Sequence, residues 1–70
     1  METNKIEKMI DETIEFYEEN GGLDIEFIRD GYKKSNGYDS FRDYFISCIE
    51  DWSLVSKEVA KGVANHYNVY

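Results

Sequence analysis

Seventy residues suffice for one domain, yet a chain this short hides only about 60% of the surface its unfolded form exposes, so its stability margin is thin. Fifteen acidic side chains against eight basic ones leave a net charge of -7, which disfavours direct binding to DNA or RNA because phosphate contacts require Lys and Arg. One cysteine and one histidine exclude an internal disulfide and a zinc centre of about four such ligands, while 41% hydrophobic residues are enough for a core and weigh against disorder.

No apolar run approaches the ~20 residues of a membrane span, and the opening METNKIEKMIDE lacks the apolar stretch of a signal peptide. The expectation is a single soluble domain, residues 1–70, in a reducing cytoplasm where Cys48 stays unpaired. The acidity is uneven, with 14 of the 15 acids in residues 1–51.

The first expected helix runs from Asn4 to Asn20. Ile6, Met9, Ile10, Thr13, Ile14, Phe16 and Tyr17 fall within roughly half of its wheel at about 3.6 residues per turn. Asn4 is the expected cap, with Glu7 at the third position, and Asn20-Gly21-Gly22 supplies a left-handed stop. A second helix follows Asp24, whose carboxylate can cap it, and ends near Asn36-Gly37 with Lys33 and Lys34 in its last turn. Its expected buried side is Ile25, Phe27, Ile28 and Tyr32. Gly31, costly inside a helix, marks a close crossing with a neighbour.

Ser40-Phe41-Arg42-Asp43 has the form of a capping box and opens a third helix. Phe41, Tyr44, Phe45, Cys48, Ile49 and Trp52 keep helical phase, and the phase continues through Val55, Val59, Val63 and Tyr67. One long helix and two helices broken near Ser53 both fit, with Ser53 or Ser56 able to cap the second. The fold class is therefore all-α, a small bundle of three to four helices. Trp52, on the stripe beside the break, is expected to be buried and to anchor the helices to one another.

Catalytic chemistry finds little material. Cys48 and His66 are the only nucleophile and base that could pair. Cys48 sits on the apolar stripe as a small core residue would, and no acid is placed to orient His66. No calcium loop is present, the glycine turns are too short to cradle phosphate, and no cofactor is expected. Ser56 to Val63 faintly resembles the first helix of a helix-turn-helix, but only seven residues follow Val63, too few for a recognition helix. In general character the chain is similar to small acidic helical inhibitors of host enzymes encoded by phages, without a motif that makes a family match.

One pattern carries a functional expectation. Glu7, Asp11, Glu12, Glu15, Glu18 and Glu19 all fall opposite the first helix's apolar stripe, relieved only by Lys5 and Lys8. They place one carboxylate per ~3 Å of helix, against one phosphate per ~3.4 Å along each strand of duplex DNA. The arrangement costs helix stability. Glu7/Asp11, Asp11/Glu15 and Glu15/Glu19 are like-charge pairs at i, i+4, and Glu18 and Glu19 sit at the carbonyl end, where the dipole prefers cations. Local rules broken without visible compensation point to function. The expected function is a protein-binding module whose acidic face docks on a basic surface of a partner. A nucleic-acid-binding enzyme blocked by phosphate mimicry fits, in the host cytoplasm if the chain is phage-encoded. The alternative is a homodimer sealed by Trp52, Leu54, Val55 or the terminal tyrosines. Eleven aromatics exceed what one small core hides, so Tyr32, Tyr38, Tyr67 and Tyr70 are expected to reach the surface.

Overall fold

The computed structural model describes residues 2–70, with side chains from Lys5 onward. Four helices follow in order: α1 (Glu2–Glu19), α2 (Ile25–Lys34), α3 (Phe41–Ser53) and α4 (Lys57–His66). No strand occurs among the described residues. Because α1 already runs from Glu2, Asn4 is an internal residue of it and not its cap. The Asn4 side chain lies outside the described residues.

The starts of α2, α3 and α4 each use a side-chain cap. The Asp24 carboxylate accepts from the Phe27 N–H at 3.1 Å, Ser40 Oγ from the Asp43 N–H at 3.2 Å, and Ser56 Oγ from the Val59 N–H at 3.3 Å. The break between α3 and α4 is real. Leu54 adopts a left-handed conformation (φ 52), and Ser56, not Ser53, opens the next helix. At the end of α1 the Gly22 N–H reaches back to the Tyr17 carbonyl at 2.7 Å, with Gly21 and Gly22 both at positive φ.

Helix α4 is the centre of the bundle, packing on α1 and on α3, while α2 packs on α3. Its small side chains make this geometry available. Val59, Ala60, Val63 and Ala64 are fully buried, and Phe45, Ile46 and Ile49 of α3, Ile28 of α2 and Tyr17 of α1 meet the last three of them in one core. Two glycines let helices cross closely. A Cβ on Gly31 would meet the Tyr44 phenol, so the expected crossing is where α2 meets α3, and a Cβ on Gly62 would run into Ile10 where α1 meets α4.

After α4 the chain folds back. Val69 is buried, its N–H bonded to the Ala64 carbonyl, and the Arg42 guanidinium donates to the Val69 carbonyl at 2.6 Å and to Asn65 Oδ1 at 2.9 Å. Arg42→Met, which keeps most of the stem, should cost about 1–2 kcal/mol. Hydrogen exchange of the Val69 amide should quicken with it, and unchanged protection would show that the clamp is dispensable.

Three expected core residues lie at the surface. Phe16, Phe27 and Trp52 are 57%, 66% and 50% exposed. Phe27 and Trp52 share the same kind of cause. Helix α2 packs chiefly on α3, so its buried stripe is narrow and Phe27, one step round from Ile28, falls outside it. The rings of α2 reach only the first half of α3, where Tyr32 lies against Phe41 and Tyr44, so the same side of α3 is uncovered at Trp52. Trp52 is therefore not the anchor of the bundle. Phe45 and Ile49 are, joined by Ile46, which the expected stripe omitted.

Candidate docking surface

On α1 the six carboxylates occupy an arc about 140° wide at ~100° per residue, centred opposite the buried Thr13 and Tyr17. All six, Glu7, Asp11, Glu12, Glu15, Glu18 and Glu19, are exposed. Burial of the opposite stripe fixes their direction. Thr13 is buried with its hydroxyl donating to the Met9 carbonyl at 2.8 Å, and the Tyr17 hydroxyl meets Ser53 Oγ of α3 at 2.6 Å.

The charge concentrates toward the C-terminal end of α1. Lys5 and Lys8 lie in the first half of the helix, and the last turn holds no base. No Lys, Arg or His occurs between Lys8 and Arg29, nor between Arg42 and Lys57. The carbonyl end is instead satisfied by neutral donors, among them Asn20 Nδ2 on the Phe16 carbonyl at 2.7 Å.

Beside this acidic end lies a feature absent from the expectations. Glu12, Thr13 and Phe16 of α1 and Trp52 and Ser53 of α3 line an open groove of about 260 Å³. Its two aromatic walls are the half-exposed Phe16 and Trp52. One signal was available in the sequence: Phe16 and Tyr17 are adjacent, and neighbours on a helix stand about 100° apart, so one core cannot take both rings equally. Leu54 follows Ser53 at 89% exposure.

The other candidate residues are placed differently. Cys48 is half-buried. Burial pushes its thiol above the ordinary range and nearby Asp51 adds to this, against an opposing hydrogen bond from Tyr44. That keeps the thiol protonated at neutral pH, the opposite of an activated nucleophile. His66 is exposed with its ring edge-on to Tyr67 at 4.9 Å. Of the four tyrosines expected at the surface, Tyr38 and Tyr70 are exposed and Tyr32 and Tyr67 are intermediate. The Tyr67 hydroxyl is buried without a hydrogen-bond partner, and burial, with Glu18 and Tyr17 nearby, raises its pKa. A second, polar groove between α3 and α4 is lined by Tyr38, Asp43, Glu50, Lys57 and Lys61 among others, with charges of both signs.

Among the described residues no group of three or more His, Cys, Asp or Glu is placed to hold a metal ion, and no helix is long and apolar enough to cross a membrane. No family model, no curated protein and no solved structure matches the chain.

Proposed function

We propose that the chain is a protein-binding module whose α1 carboxylates dock on a basic surface of a partner, and that a nucleic-acid-binding enzyme is the partner class, blocked by imitation of phosphates. The observation that carries this reading is the exposure of all six carboxylates on one arc of a helix whose opposite side is buried. The face is thereby rigid and directed outward, and its charge density approaches that of one nucleic-acid strand, at one carboxylate per ~3 Å. Association driven this way is fast and falls with salt, because surface charges are screened over about 10 Å at 0.1 M.

The test is a charge reversal, Asp11→Lys with Glu15→Lys and Glu18→Lys. Because all three side chains are exposed, helicity should hold. Immobilised wild-type protein should retain basic nucleic-acid-binding proteins that duplex DNA competes away and moderate salt releases, and the triple variant should retain none. Equal retention by the variant, or an affinity unchanged between low and high salt, would remove the proposal.

A further inference from the structure

We infer that the groove between α1 and the end of α3 is the apolar half of this docking surface. It takes a basic amphipathic helical segment of the partner, with one bulky apolar side chain seated between Phe16 and Trp52 and Lys or Arg side chains reaching Glu12, Glu15 and Glu19. This inference rests on the proposed function and deepens it.

Three observations converge. Phe16 and Trp52 both line the groove, at 57% and 50% exposure, and large aromatics left facing water around a concavity are the usual anchors of protein interfaces. Next to the groove-lining Ser53, Leu54 is 89% exposed and held at φ 52. A left-handed leucine with its side chain in water is disfavoured on both counts, and glycine is the ordinary residue there. At its other positive-φ positions the chain uses glycine, at Gly21, Gly22 and Gly37, or asparagine, at Asn68, which tolerates that conformation better than leucine does. Retention of leucine at this one points to a use for the side chain outside the free protein.

Charge selects the occupant. Glu12 forms part of the groove wall, Glu15 and Glu19 flank Phe16 on α1, and Asp51 precedes Trp52, all four exposed. A purely apolar ligand would leave these carboxylates beside a dehydrated contact, whereas a segment with cations around its apolar plug pairs with them. A second copy of the chain is the less favourable occupant, since its net charge of -7 brings like charge toward like.

Trp52 is the only tryptophan, so its emission reports the groove alone. The probe is a synthetic amphipathic helical peptide of Leu and Lys, compared with one in which the leucines are replaced by serine at unchanged lysine positions. The Leu peptide should shift Trp52 emission to the blue and bind at least about tenfold more tightly than the Ser peptide. Phe16→Ser should weaken it by about thirtyfold, the loss expected of one aromatic anchor. Leu54→Gly should raise the melting temperature while weakening the same peptide, a combination that a merely structural Leu54 does not give.

If both peptides bind equally and Trp52 emission stays put, the groove is not part of the surface, although acidic docking survives. If the Leu peptide binds with a blue shift that neither salt nor the Asp11, Glu15 and Glu18 charge reversal changes, the acidic-face reading itself fails, and this inference with it. A blue shift that grows with protein concentration in the absence of peptide would put a second copy in the groove and overturn the assigned occupant.

Discussion

Truncating Phe45 to alanine should leave little or no cooperatively folded protein. Phe45 is fully buried on α3, edge-on to Phe41 at 6.1 Å and in the same cluster as Ile49 and the alanines of α4. Removing a buried ring of this size costs about 3–5 kcal/mol, and a single small core without staples supplies little more than that in total. The contrast is Trp52→Ala, where half the ring already faces water and the loss should be about 1 kcal/mol. Urea titrations followed by helicity measure both. A normal melt for Phe45→Ala beside a collapsed Trp52→Ala would mean that the core assignment is inverted.

Gly62→Ala should destabilise the protein by about 1–3 kcal/mol, although alanine is the better helix former by nearly 1 kcal/mol. The added Cβ would sit 2.6 Å from Ile10 Cγ1 and 3.2 Å from Ile10 Cγ2. Ile10 is β-branched and on a helix, so its first torsion has one strongly preferred setting and cannot swing away. Helices α1 and α4 must then separate, and the core contacts between them weaken. The sign should reverse once Ile10 is shortened: in an Ile10→Ala background, Gly62→Ala fills space and gains helix propensity, so the double variant should be more stable than Ile10→Ala alone. Additive effects in that double-mutant cycle would show that the two positions do not touch.

What could be seen in the sequence was what is decided within a few residues. Asp24, Ser40 and Ser56 cap helices because a short oxygen reaches an amide three residues ahead whatever the rest of the fold does. The acidic arc of α1 was legible for the same reason, since helical spacing alone puts its carboxylates on one side. The exposure of Phe27 and Trp52 was not legible, because it depends on how far a neighbouring helix extends, whereas that of Phe16 had a signal in its adjacency to Tyr17. Helix α2 covers Phe41 and Tyr44 but stops short of Trp52, and no periodicity in α3 records where α2 ends. Ile46 is the converse case, drawn into the core by its position toward the small side chains of α4. Gly31 was read as a crossing and is one. Gly62, which meets Ile10 in the same way, gave no separate signal because its partner lies fifty-two positions earlier. The aromatic groove went unseen on both grounds, being built from two helices and from residues assigned to the core.

The pairing of α1 with α4 also sets an order of events during translation. Helix α1 is the first of the four to leave the ribosome and α4 the last, at roughly 5–20 residues per second, and α4 is the element against which α1 buries its stripe. Eighteen residues of isolated helix are marginal in water, and three like-charge pairs make this one weaker still. The nascent chain therefore carries its carboxylates on an unfixed segment until α4 is synthesised. On the proposed docking function, truncated products ending before Lys57 should be inert, not partly active, and competence to bind should arrive in one step with α4.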